Sequence, residues 1–171
     1  MIRSTSYPAI GGLLFLLFSF LFLPVVANAN IPLRFARHPA LSPQGDKVAF
    51  SWSGDIWIAS TKGGVARRIT SHHAYDAYPL WSSDGKKIAF ASKRYGNYDV
   101  FVMDADGGIP KRLTYHSYHD RPLFWLANDK GIVFHSARRP GATRSYQLYQ
   151  VSIEGGMPKM FLPVGVADAK A

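Results

Sequence analysis

The 171-residue sequence reads as an all-β chain, a partial β-propeller of three four-stranded antiparallel blades preceded by a signal peptide. Three observations lead there. One block of residues recurs at spacings of 40 and 44 positions, each copy breaks into four short strands with turn residues between them, and those strands are apolar on both faces.

The chain opens with an export signal over residues 1–29. Arg3 supplies the positive start, residues 10–23 are almost wholly apolar, and Ala27-Asn28-Ala29 offers a small-x-small cleavage site. Pro24 and the two small residues favour cleavage over retention as an anchor. An uncleaved anchor is the competing reading, because the stretch over residues 10–26 falls only just short of the roughly 18 apolar residues that suggest a membrane span.

The domain spans residues 30–171, and its repeat is legible residue by residue. Pro39, Ser42, Gly45, Lys47, Ala49 and Phe50 return 40 positions later as Pro79, Ser82, Gly85, Lys87, Ala89 and Phe90. Asp55, Gly63-Gly64, Arg68 and Thr70 return after 44 as Asp99, Gly107-Gly108, Arg112 and Thr114. A third copy starts at Pro122 and runs through Ile132-Val133-Phe134, Leu148-Tyr149 and Gly155-Gly156, with a longer insertion over 136–147. Blades are expected over about 38–70, 78–114 and 121–162, with 163–171 starting a fourth.

In the second copy the strands fall at 80–81, 87–92, 99–104 and 111–114, divided by turns rich in Gly, Asp and Asn. Strand two puts Val48 and Phe50, Ile88 and Phe90, or Ile132 and Phe134 on one face, and small or apolar residues such as Ala49, Ala89 and Val133 on the other. A sheet pressed between two neighbours needs that pattern, whereas a one-sided sheet alternates with polar residues.

Composition excludes several functions. Lys and Arg exceed Asp and Glu by 20 to 11, but the excess is spread along the chain, so no nucleic-acid partner is read from it. With no cysteine, a disulfide framework, a thiolate metal site and a cysteine nucleophile are all ruled out. No G-x-S-x-G elbow occurs and no Ser, His and Asp set emerges from spacing, so no catalytic residue is assigned. A zinc site from His72, His116 and His119 lacks any defining spacing. Neither a metal nor a cofactor is expected.

The stretch Pro79-Leu80-Trp81-Ser82-Ser83-Asp84-Gly85-Lys86-Lys87-Ile88-Ala89-Phe90, followed by Asp104-Ala105-Asp106-Gly107-Gly108 and Lys111-Arg112-Leu113-Thr114, resembles the W-S-P-D-G-K repeat of TolB and tricorn-like proteases. Ser83 stands in place of the usual proline, and the third copy has Ala127-Asn128-Asp129 at the tight turn. Gly54-Asp55-Ile56-Trp57 and Tyr95-Gly96-Asn97-Tyr98-Asp99 are similar to the opening blades of tricorn-like proteases. A TolB chain would carry a separate α/β domain before its first blade, and only about nine residues lie there. The resemblance implies a non-catalytic segment of an exported, periplasmic or extracellular tricorn-like serine protease, whose propellers filter or channel peptides toward a core. It leaves two alternatives, a TolB-like periplasmic protein-binding module and a stand-alone blade unit that oligomerises.

Propeller topology gathers the linkers 71–78 and 115–121 and the insertion on one face. The candidate peptide contacts are His72, His73, Asp76, His116, His119, Asp120, Arg138, Arg139, Arg144 and Tyr146. Arginine forks suit carboxylates and aromatic rings supply apolar contact area. The competing reading has Asp76 and Asp120 bonded to backbone amides of the linkers, with the histidines solvated. The expected partners are peptides or proteins, with a membrane contact only through an uncleaved signal and with self-association through exposed blades.

Overall fold

A computed structural model describes residues 34–138 and 146–161. The signal segment 1–29, the start of a fourth blade at 163–171, and Arg139 and Arg144 lie outside the described residues.

The described chain forms three four-stranded antiparallel sheets, each with its strands in sequence order. The first holds β1 (Arg37–Leu41), β2 (Lys47–Trp52), β3 (Asp55–Ser60) and β4 (Arg67–Arg68). The second holds β5 (Asp76–Trp81), β6 (Lys87–Tyr95), β7 (Asn97–Asp104) and β8 (Lys111–Arg112). The third holds β9 (Asp120–Trp125), β10 (Gly131–Ser136), β11 (Gln147–Ser152) and β12 (Lys159–Met160). The same register recurs in all three, with Phe50 opposite Trp57, Phe90 opposite Phe101 and Phe134 opposite Tyr149.

First strands of successive blades lie against one another, β1 with β5 and β5 with β9, so they form the hub. The blades stack through their apolar faces. Ala49, Ile56, Ile58 and Ile69 of blade one meet Ile88, Phe90, Phe101 and Met103 of blade two. Ala89, Val100, Val102 and Leu113 of blade two meet Ile132, Phe134, Tyr149 and Val151 of blade three in the same way. Each large side chain buried there contributes about 1.5–3 kcal/mol. The indole N–H of Trp81 donates to the Ala40 carbonyl at 3.0 Å, and that of Trp125 to the Leu80 carbonyl at 3.1 Å, so each tryptophan bolts a blade to its predecessor.

Strand lengths differ from the sequence expectation at three points. The first strand of blade two begins at Asp76, four residues earlier than expected, because its N–H donates to Gly54 and it pairs with Ser92. The fourth strand stops at Arg112, because the Thr114 hydroxyl accepts the Val100 N–H and takes over the ladder. In blade three Phe124 pairs with Val133 as Leu80 pairs with Ala89, so Leu123, and not Pro122, is the counterpart of Pro79. The turn at Asn128-Asp129 keeps its shape with no glycine. Asp129 takes φ 54°, and its N–H donates to the Leu126 carbonyl at 2.9 Å, as Gly85 does to Ser82.

Candidate peptide-contact face

At one end of the strands, acids and arginines pair in a repeated pattern that runs from the first strand of a sheet to its fourth. Asp76 accepts from Arg94 at 2.9 Å and Asp120 from Arg138 at 2.5 Å, and neither carboxylate is exposed. Asp55 binds Arg68 at 2.6 Å and Asp99 binds Arg112 at 2.7 Å. The Thr70 and Thr114 hydroxyls donate to Asp55 and Asp99. Alternation along the ladders puts Asp76–Arg94 and Asp99–Arg112 on the face of blade two that packs on blade one, with Phe90 and Phe101, and Asp120–Arg138 on the face of blade three that packs on blade two, with Phe134 and Tyr149. Burial raises the Asp99 carboxyl to about 6, with Arg112 opposing and Asp120 adding to the rise.

The side chains of Asp76 and Asp120 thus hold arginines rather than backbone amides of the linkers, and Arg138 is spent within its own blade. Arg138 also donates to the Ser136 hydroxyl at 3.3 Å and lies over the Phe134 and Tyr149 rings. The histidines brace the linkers. His72 Nδ1 accepts the Ala74 N–H at 3.0 Å, His116 Nδ1 accepts that of Tyr118 at 3.2 Å, and His119 Nδ1 accepts that of Tyr98 at 3.0 Å. His72 and His73 also line a groove of about 390 Å³ with Arg94, Tyr95, Phe101 and Arg112. Tyr146 is exposed and sets its ring edge-on to His135 at 4.8 Å.

A second constellation lies at the hub, and of its residues only His119 belongs to the set named from the sequence. The rings of His38, Tyr78, Tyr98 and His119 follow one another with centroids 4.0, 5.8 and 5.4 Å apart. The Arg121 guanidinium sits over Tyr78 at 5.0 Å and over Tyr98 at 5.3 Å, and Lys93 approaches Tyr98 at 4.9 Å. No carboxylate among the described residues lies within ion-pair distance of Arg121 or Lys93. Burial and the Arg37 and Arg121 charges lower His38, while burial and Arg121 lower His135 against the pull of Asp120. Both imidazoles are therefore neutral near pH 7, and the hub keeps a positive, aromatic character. In the sequence Arg121 looks like one arginine among many. It stands apart only once Arg68, Arg94, Arg112 and Arg138 are seen to be paired.

The sequence model described as the tricorn protease N-terminal beta propeller domain matches residues 33–171. The chain belongs to that family. Tricorn protease homolog 1 of Streptomyces coelicolor is 39% identical to this propeller over 54 residues, 32% of the chain and 5% of the relative. A TolB homolog of Chlorobium luteolum is 38% identical over 50 residues, 29% of the chain and 12% of the relative. The tricorn-family chain thus spans a small part of the curated relatives it matches. Among solved structures, a putative TolB from Agrobacterium tumefaciens superposes with TM-score 0.63 at 24% identity, over 78% of this chain and 50% of that one. The tricorn protease itself superposes with TM-score 0.57 at 17% identity, over 72% and 14%. At these identities the superpositions speak for the fold.

Proposed function

We propose that this propeller segment serves an exported tricorn-like serine protease as a non-catalytic gate, contacting peptides at its hub face. The observation that carries the reading is the Arg121 guanidinium, held over Tyr78 and Tyr98 with no carboxylate partner among the described residues. A cation fixed between aromatic rings suits a peptide carboxylate, since the rings add apolar contact while the fork donates to two oxygens. Arg139, Arg144 and Tyr146 would extend the contact along the insertion, and His72 and His73 would border it. Arg138, Asp76 and Asp120 would support the face from within.

The test is titration of an acidic peptide against the longer protein that carries this segment in a closed ring. Arg121→Ala and the Arg139→Ala/Arg144→Ala pair should each weaken binding about tenfold. Unchanged affinity in both would remove the reading. Arg138→Ala is unsuitable for this purpose, because it strands the buried Asp120 charge and costs about 3–5 kcal/mol of stability.

A TolB-like role as a periplasmic protein-binding module is the second reading, supported by similarity to the TolB homolog and to the Agrobacterium structure. Binding to folded envelope proteins with no response to acidic peptides would favour it.

A further inference from the structure

The groove between blades one and two has a chemistry that the other seam lacks. Blade two carries Arg94, Asp99, Phe101 and Arg112 on the face that packs on blade one, whereas the register gives blade three Arg138, Gln147, Tyr149 and Met160 at those places. Blade one has Arg68, but its two-residue turn Ser53-Gly54 brings no counterpart to Arg94. Each guanidinium of blade two is fixed and only partly used. Arg94 donates through Nη2 to Asp76 and lies over the Phe101 ring at 5.3 Å. Arg112 donates through Nη2 to Asp99 and through Nε to the Thr114 carbonyl, and its head is packed against Tyr95 at 4.0 Å and Tyr115 at 4.4 Å. Neither Nη1 has an acceptor among the described residues. His72 Nδ1 accepts the Ala74 N–H, so the ring proton of the neutral imidazole sits on Nε2 and makes that atom a donor too. Asp76 and Asp99 are fully buried and do not line the groove, nor does any other acid among the described residues. An opening of about 390 Å³ therefore presents N–H donors beside the apolar surface of Phe101, Tyr95 and Ile109.

We propose that this groove binds a small organic carboxylate, with its oxygens on Arg94 and Arg112 and its apolar body against Phe101 and Ile109. Each arginine charge is already balanced by a buried aspartate, which suits a single negative charge held by directed hydrogen bonds and disfavours a phosphate dianion. The apolar lining suits a ring or a short alkyl body. The groove holds none of Arg121, Tyr78 and Tyr98, so the inference stands apart from the peptide-gate reading.

The probe is hydrocinnamate, titrated into the full chain near neutral pH while the Nε–H resonances of Arg94 and Arg112 are followed, with the neutral hydrocinnamide as control. Saturable shifts with Kd on the order of 1 mM are expected, and the amide should bind at least about tenfold more weakly. Asp99→Asn should tighten binding about three- to tenfold, because it removes the nearest opposing charge while Thr114 and the two tyrosines keep Arg112 in place. The double variant Asp99→Gln/Arg112→Met copies the residues with which blade three folds, and it should lose at least about tenfold with a cooperative melt retained. His73→Glu, an exposed substitution on the rim, should weaken binding by a similar factor and decides the matter if the double variant does not fold. No saturable shift up to roughly 50 mM overturns the proposal. So does equal binding of the amide, or a folded variant of either kind that binds the carboxylate as the parent does.

Discussion

Asp129 shows one side chain repairing two departures from the repeat. It occupies the left-handed turn position that glycine holds in the other blades, and its carboxylate accepts the Ser83 and Asp84 N–H groups of blade two at 2.9 and 3.1 Å. The Ser83 hydroxyl, standing where blade one carries Pro43, donates to the same carboxylate. Asp129→Asn keeps the local conformation and most of the bonds, so it should cost least. Asp129→Gly loses the bonds and should cost about 1–2 kcal/mol, and Asp129→Ala adds roughly 1 kcal/mol for the positive φ. Thermal melts would rank them. A melt for Asp129→Ala equal to that of the parent would contradict the assignment.

Asp99 supplies the pH dependence at the same scale. Its folded value of about 6 exceeds the ordinary 3.8, so the folded state binds this proton more tightly than the unfolded chain does. Its contribution favours folding below about 3.8 and fades as pH rises through about 6, by on the order of 1–3 kcal/mol. Asp99→Asn should remove that slope. Chemical denaturation of parent and variant between pH 4 and about 7 measures it, and parallel curves would refute it.

At the level of strands, burial on both faces was legible because Phe50, Phe90 and Phe134 repeat with small residues beside them. The lengths were less legible. A two-residue outer strand followed by a threonine has the same spelling as a four-residue strand, and only the Thr70 bond to Ile56 N–H and the Thr114 bond to Val100 N–H, both 2.9 Å, distinguish them. Thr114→Val should therefore cost about 1–3 kcal/mol, leaving Val100 N–H buried without an acceptor, while Thr114→Ser should cost under 1. A larger loss for Thr114→Ser than for Thr114→Val would mean that the methyl group, and not the hydroxyl, matters. The candidate face was only partly legible for a related reason. Sequence position gathers Asp76, Asp120 and Arg138 at one end of the strands, but whether an arginine is spent on a buried aspartate depends on pairing across a hairpin. Arg94 and Arg138 each follow the strand-two serine by two residues, a spacing that signals the pair once one copy has been seen.

For the molecule as a whole, stability resides between blades. Each sheet is four short strands with basic or polar residues on its outermost edge, which discourages edge pairing. The apolar rows and the tryptophan bolts cross from one blade to the next, whereas the buried ion pairs each lie within one blade. The repeat in the sequence announced this stacking, and the hydrogen bonds from Trp81 and Trp125 give it a direction, since each blade reaches back to its predecessor. The most direct check is the nuclear Overhauser spectrum of the indole protons in the full chain. Stacked blades predict slow exchange for the Trp81 and Trp125 N–H groups, with cross peaks to Ala40 and to Leu80 respectively. Rapid exchange of both protons, with no cross peak to the preceding blade, would contradict the stacking on which the seams and the hub rest.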